Sequence, residues 1–145
     1  MELYPLNKKD IDFLIELESN SDTSEFIIPY DKEKHTVEFE NPLNRYLGIY
    51  EEDKLIGFII IGIEKEGSRI EFRRIVMGEK GLGYGQKAIM KLEKYCKANW
   101  NTESIWLDVF EFNQRGRHIY EKLGYKKTGE SNVKGKGLII MEKYL

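Results

Sequence analysis

The chain has 145 residues, of which 41% are hydrophobic and 33% charged, and this balance predicts one globular domain over residues 1–145. The formal net charge of -2 argues against a nucleic-acid partner, because proteins that bind nucleic acid usually display a basic face. The longest apolar run, 55–63, is too short to span a bilayer, so no membrane partner is expected. One cysteine, Cys96, excludes an internal disulfide and favours a cytoplasmic location, and with only two scattered histidines no metal site is predicted.

The first half of the chain predicts a strand, a helix and then three consecutive strands. Residues 2–6 form a short extended candidate, and Asn7 resembles a helix N-cap before apolar residues that follow at helical spacing from Ile11. The weak pattern over 19–44, with two prolines, predicts loops and a short helix. Short polar turns then join β-branched runs, which predicts an antiparallel meander over 45–50, 55–63 and 69–77.

The second half of the chain alternates between helices and strands. A glycine-rich segment, 78–85, precedes an amphipathic helix and then a strong strand at 104–110. A second helix starts near Asn113 and ends at Gly124, and 125–144 reads as a closing hairpin. Strand, loop, helix and strand in this order imply one parallel crossover within an otherwise antiparallel sheet, which is an α/β (α+β) fold.

The glycine-rich segment is the strongest candidate for a ligand site, with the sequence Lys80-Gly81-Leu82-Gly83-Tyr84-Gly85-Gln86. Glycines let the backbone approach a ligand, and the start of the following helix offers free N–H donors and a positive dipole end, which suit a diphosphate. A plain strand-to-helix turn is the alternative. The P-loop and dinucleotide-binding patterns both fail, because Tyr84 and Gly85 stand where the first needs Lys-Ser/Thr and Gln86 replaces the last glycine of the second.

Two signatures resemble the GNAT acetyltransferase superfamily. Arg74-Ile75-Val76-Met77 followed by Lys80 to Gly85 is similar to its motif A, a strand and then Arg/Gln-x-x-Gly-x-Gly/Ala, with Lys80 in place of the more usual Arg or Gln. Leu107 to Asn113 followed by Tyr120 to Tyr125 is similar to its motif B. The resemblance implies a mixed, mostly antiparallel sheet of six to seven strands flanked by about four helices. It also implies an N-acetyltransferase that moves the acetyl group of acetyl-CoA to a primary amine by direct attack in a ternary complex, with no metal.

The resemblance also assigns roles to individual residues. It places the pantetheine arm of acetyl-CoA on the backbone of Arg74, Ile75 and Val76, and its diphosphate on the segment from Lys80 to Gln86. Tyr120 becomes the candidate general acid, although its position on an apolar helix face also fits simple packing. Further cofactor contacts are expected at two positions of the same helix, Asn113, which is also a good N-cap residue, and Gly116.

A general base is harder to assign from the sequence. Glu71 is the candidate, since some family members place a glutamate base on this strand. Strand alternation puts Glu71, Arg73 and Ile75 on one face, unless a bulge shifts the register. The competing interpretation pairs Glu71 with Arg73 or Arg69 in a charged row. Glu111 is a weaker candidate for the base.

Three further side chains are expected to have no catalytic role. Cys96 lies on the apolar face of a helix and is expected to be a core thiol. His118 is expected at the surface, about 200° around the helix from Tyr120. We expect His35 to lie in a loop.

The acceptor amine is not identified by the sequence. Its specificity is expected from 19–44 and 133–137. The acids of the first segment, Asp22, Glu25, Asp31 and Glu33, are candidates to attract a cation, and the alternative is that they are scattered surface acids. The resemblance leaves open a homodimer. It also leaves an alternative function, a catalytically idle acyl-CoA-binding or interaction module.

Overall fold

A computed structural model describes residues 1–20, 28–78 and 83–145 of the chain. It contains seven strands and four α-helices in the order that the sequence predicts. The elements are β1 (Glu2–Pro5), α1 (Ile11–Asn20), α2 (Lys32–Glu40), β2 (Asn44–Glu51), β3 (Lys54–Glu64), β4 (Arg69–Met77), α3 (Tyr84–Trp100), β5 (Ser104–Phe110), α4 (Gln114–Lys122), β6 (Lys126–Val133) and β7 (Lys136–Tyr144).

All seven strands form one sheet in the order β1-β2-β3-β4-β5-β7-β6. Strands β1 to β4 form an antiparallel meander, and β5, β7 and β6 pair antiparallel on the other side. Only β4 and β5 are parallel, because helix α3 connects them as a crossover. The predicted mixed, mostly antiparallel sheet is therefore confirmed.

Two hydrophobic clusters cover the two faces of the sheet. Buried residues of α3, among them Leu92 and Cys96, pack with one face of the strands and with Tyr125. A smaller cluster joins Leu14 of α1 to the other face, at residues such as Phe58 and Val76. The sheet is therefore the middle layer, with α3 on one side and α1 and α2 on the other.

Strand β4 contains a bulge at Arg73. Phe72 pairs with Ile61 and Arg74 pairs with the adjacent Ile60, so Arg73 is an extra residue in β4. The regular alternation of this strand ends at this point, because the extra residue of a bulge, the exception that the sequence analysis left open, shifts every later side chain to the opposite face. Val76 faces the α1 side, whereas Ile75 packs against the larger cluster with Phe72.

Within the described residues, no helix combines the length and the apolar composition needed to cross a membrane. The same residues contain no group of three or more His, Cys, Asp or Glu side chains that could hold a metal ion.

The thiol of Cys96 is inaccessible, as its predicted core position requires. Burial, with a smaller contribution from the negative charge of Glu93, raises the pKa of Cys96 to about 12. At about pH 8 almost none of the thiol is ionised, and the thiolate is the reactive form. We expect Ellman's reagent to react with native protein at a small fraction of its rate with protein unfolded in guanidinium chloride. Rapid reaction of the native protein would contradict the packing of α3.

Candidate active site

A cavity of about 470 Å³ opens where β4 and β5 separate. The two strands pair only from Arg69 with Ser104 to Glu71 with Trp106. Beyond that pair, each strand contributes a wall to the cavity, and α4, the β6–β7 hairpin, the segment 28–30 and Lys34 of α2 also line it. The β4 edge facing β5 therefore has backbone N–H and C=O groups without a strand partner there, and such groups bind a ligand that carries amides.

The β4 wall carries charged residues that are already paired. Glu71 accepts hydrogen bonds through Oε1 from Nη2 of Arg73 at 2.9 Å and from its Nε at 3.3 Å. Arg73 also contacts Glu38 of α2 at 3.1 Å and Asn44 of β2 at 3.0 Å. The structure thus places Glu71 in the cavity wall with Arg73 as its partner, while Arg69 pairs with other carboxylates, those of Glu64 and Glu142.

The β5 wall carries a carboxylate that the sequence analysis did not single out, Asp108. Among the described residues it has neither an ion pair nor a hydrogen-bond partner. Its side chain is accessible to solvent, yet its pKa is raised because the surrounding walls limit its hydration and because Glu71 lies nearby, against an opposing effect of Arg73. An unpaired carboxyl group with a raised pKa is a candidate proton acceptor. The feature of the sequence that could have pointed to Asp108 is its position within the segment that resembles motif B, next to Val109.

Tyr120 of α4 lines the same cavity. Its ring makes edge contacts with Phe72 and Tyr125, with centroids 6.2 and 6.1 Å apart. Burial, and to a lesser extent the charge of Asp108, raise the pKa of Tyr120 to about 12. The hydroxyl therefore keeps its proton near neutral pH, so the residue both packs in an aromatic cluster and presents a protonated phenol to the cavity.

Asn113 and Gly116 form the start of α4. The Asn113 side chain accepts a hydrogen bond from the Gly116 backbone N–H at 2.9 Å, which confirms the predicted N-cap. A Cβ at Gly116 would lie 2.6 Å from the Asn113 amide nitrogen. A side chain at Gly116 would therefore displace the amide end of the Asn113 side chain. Asn113 also lines the cavity, as expected for a ligand contact.

The start of α3 is the predicted diphosphate site. Gly83 has φ +71 and caps the helix without a side chain, so Tyr84, Gly85 and Gln86 form the first helical turn instead of the loop that the sequence suggests. A Cβ at Gly83 or Gly85 would meet nothing within 4 Å. The first amides of a helix have no partner within the helix, and no described residue approaches these two glycines, which fits a diphosphate. Lys80, Gly81 and Leu82 lie outside the described residues.

Other predicted residues fall in different places. His35 lies in α2 and is completely buried, so its expected loop position is wrong. Both ring nitrogens have hydrogen-bond partners, on α1 and β2, and these bonds replace those that the ring would make with water. His118 is exposed as expected. Asp31 caps α2 by accepting from the Lys34 backbone N–H at 2.8 Å, and Asp22 and Glu25 lie outside the described residues.

The sequence matches the family described as "Acetyltransferase (GNAT) family" over residues 11–125. The chain belongs to this family. It is accordingly an acetyl-CoA-dependent acyltransferase, and acetyl-CoA is its co-substrate. The unpaired β4 edge in the cavity is where its amide-bearing arm would bind, and the first turn of α3 is where its diphosphate would bind.

Two curated relatives and several solved structures are similar to the chain. Spermine/spermidine N(1)-acetyltransferase of Bacillus subtilis (strain 168) is 25% identical over 104 residues, which cover 66% of this chain and 68% of the relative. A probable spermine N(1)-acetyltransferase of Bacillus subtilis subsp. natto is 24% identical over the same shares. Spermidine N-acetyltransferase of Vibrio cholerae, solved with CoA and spermine, has a TM-score of 0.81 at 21% identity, covering 99% of this chain and 94% of that one. At this identity the structural similarity supports the fold.

Replacement of Tyr120 by phenylalanine tests its role as proton donor. We expect the Tyr120→Phe variant to lose about 10²-fold in kcat, a typical contribution of a positioned acid, with an unchanged Kd for CoA by calorimetry. Because the pKa of Tyr120 is about 12, its deprotonation should not lower the wild-type rate between neutral and mildly alkaline pH.

The matched control is Tyr125→Phe, in the same aromatic cluster. Tyr125 does not line the cavity, and its hydroxyl donates to Glu93 at 2.9 Å. That variant should lose about 1 kcal/mol of stability and keep its kcat. Equal kcat in wild type and Tyr120→Phe would reduce Tyr120 to a packing residue.

Asp108→Asn tests the unpaired carboxylate. The raised pKa of Asp108 means that the fold disfavours its ionised form, so ionisation at neutral pH costs stability and the neutral amide relieves that cost. We expect kcat/KM to fall about 10²-fold while Tm stays equal or rises. The wild-type rate should fall as pH drops through the raised pKa, and this acid limb should vanish in the variant.

Glu111→Gln is the control for charge alone. Glu111 is the exposed carboxylate on the same segment that the sequence offered as a weaker base, and it does not line the cavity. We expect normal activity in this variant. A loss as large as that of Asp108→Asn would mean that overall charge, not proton transfer, explains both results.

Proposed function

We propose that the protein N-acetylates an aliphatic polyamine such as spermidine. The observation that carries the proposal is the unpaired Asp108 carboxylate, in a cavity that Tyr120 also lines. The names of the similar curated proteins support the acceptor class, since they are spermine and spermidine acetyltransferases. A polyamine is cationic at neutral pH, and its amines must lose a proton before they can attack a thioester.

The charged side chains of the cavity attract a cationic acceptor weakly, and they attract it to one wall, the one formed by β5. The described side chains that line the cavity or form an ion pair with its lining include three cations and four carboxylates, namely Lys34, Arg73, Arg74, Glu18, Glu38, Glu71 and Asp108. Each of these three cations has a carboxylate partner, which leaves Asp108 as the carboxylate without an ion-pair partner among these side chains. A cationic amine is therefore attracted towards the β5 wall. Lys136 contributes a further positive charge near this wall, with Nζ 5.9 Å from the centroid of the Phe110 ring.

The residues can handle both protons of the reaction. Acetyl-CoA supplies an acetyl group activated as a thioester. Asp108 accepts a proton from the ammonium group of the acceptor, and we propose Glu71 as the second carboxylate that orients the amine, with Arg73 holding Glu71 in position. As the C–S bond breaks, the Tyr120 hydroxyl donates its proton to the departing sulfur. The attacking nitrogen loses its second proton as the amide forms, and this proton restores the Tyr120 phenol.

A panel of amines tests the proposal directly. Spermidine, spermine, butylamine, an aminoglycoside and a peptide with a free N-terminus are each incubated with acetyl-CoA, and both free-thiol release and product mass are measured. We expect spermidine to gain one acetyl group with a kcat/KM at least about tenfold above that of butylamine, which lacks the second positive charge.

Two outcomes would contradict the proposal in different ways. Acetylation confined to the peptide would keep the enzyme and change the acceptor class. CoA binding by calorimetry without acetylation of any amine would favour the idle binding module.

A further inference from the structure

A buried ionic network lies behind the acceptor side of the cavity. Arg74, which is 7% exposed, forms an ion pair through Nη1 with Glu18 of α1, which is 1% exposed. Its Nη2 donates to the backbone carbonyl oxygen of Ile28 at 2.7 Å. Its guanidinium carbon lies 3.9 Å from the centroid of the Tyr30 ring, a cation–π distance. One arginine of β4 thus holds two residues, Ile28 and Tyr30, that line the cavity.

Glu18 is held from a second side. Its Oε1 contacts Nε2 of His35, and Nδ1 of His35 lies 2.8 Å from the Tyr46 hydroxyl oxygen. Both rings are buried, and burial raises the pKa of Tyr46 well above its usual range, so its hydroxyl stays protonated. The Glu18 carboxylate of α1 therefore connects to β4 through Arg74, to α2 through His35, and through His35 to Tyr46 of β2.

Stability alone is a weak explanation for such a network. A buried ion pair often stabilises a fold no better than apolar side chains of the same volume, because both charges must leave water. What an arginine adds is geometry: its planar fork makes several directed hydrogen bonds while its face stacks on a ring. Here the Arg74 guanidinium donates to the backbone carbonyl of Ile28 and stacks on the ring of Tyr30, so both contacts hold the segment 28–30.

We propose that Glu18 is a positioning residue for the acceptor. By orienting Arg74, it fixes Ile28 and Tyr30 relative to strand β4, and so sets the width of the cavity on the side away from β5. This inference rests on the proposed function, since it assumes that an amine binds in this cavity. It predicts that loss of the Glu18 charge weakens acceptor binding without affecting proton transfer or the coenzyme site.

Glu18→Gln and Tyr46→Phe form a matched pair for the test. Both remove one interaction of the same buried network, but only the first affects Arg74 directly. With spermidine as acceptor, we expect Glu18→Gln to raise KM about tenfold or more with kcat within about threefold, which is the signature of lost acceptor binding. Tyr46→Phe should leave KM within about twofold. The Kd for CoA should be unchanged in both variants.

Arg74→Lys covers the case in which Glu18→Gln does not fold. A lysine keeps the charge beside Glu18 but has neither the fork nor the flat face. We expect it to raise KM for spermidine in the same direction. An unchanged KM in Arg74→Lys, or equal increases in Glu18→Gln and Tyr46→Phe that follow their losses in Tm, would overturn the proposal.

Hydrogen exchange measured by mass spectrometry separates this inference from the proposed function. In Glu18→Gln, exchange at the amides of Ile28 and Tyr30 should rise about tenfold over wild type, while Tyr46→Phe leaves it unchanged. Pro29 between them has no amide hydrogen. This readout needs no acceptor. If wild type acetylates no amine, the proposed function fails and the exchange result alone decides whether Glu18 holds the wall. Equal exchange in all three proteins would refute the positioning role.

Discussion

The separation of β4 from β5 is the constraint on which the rest of the site depends. The last parallel pair is Glu71 with Trp106, and the bulge at Arg73 follows two residues later. A bulge bends its strand and increases the local twist, so β4 turns away from its neighbour at that point. Water or a ligand must then satisfy the exposed strand edge. A groove with unpaired amides along one wall is the consequence, and an amide-bearing coenzyme arm suits it.

The same bulge determines the electrostatics of the cavity. Without the extra residue, Arg73 and Arg74 would point to opposite faces of the sheet. With it, both reach the layer of α1 and α2, where Arg73 meets Glu38 and Arg74 meets Glu18. Two arginines thereby pair with the carboxylates on one side of the cavity, whereas Asp108 on the other side has no ion-pair partner among the described residues. One inserted residue thus shapes the groove and gives its two walls different charges.

The fold could be predicted from the sequence because its signals are local. Polar turns between β-branched runs and a glycine-rich loop before an amphipathic helix were enough for the element order and the parallel crossover. Tyr120 and Asn113 were found for the same reason, since each lies at a fixed offset within a motif. What could not be predicted depends on contacts between distant segments. His35 looked like a loop residue because its partners, Glu18 and Tyr46, come from other elements.

Asp108 illustrates the other limit of sequence reasoning. Its position within a strand, between buried Leu107 and Val109, indicates only an outward-facing polar residue. Its chemical character comes from the walls around it and from Glu71, which is 37 positions away in the chain.

The contrast between paired and unpaired acids argues for function at this position. Within the cavity wall Glu71 has an arginine partner, and behind the wall Glu18 and Glu38 do too. A carboxylate that mainly stabilised the fold would have a partner and a lowered pKa, as Glu38 has. Asp108 instead has a raised pKa and no partner among the described residues, so its ionised form works against folding. A carboxylate whose charged form costs stability, beside acids that have arginine partners, supports the proposal that Asp108 acts on a substrate.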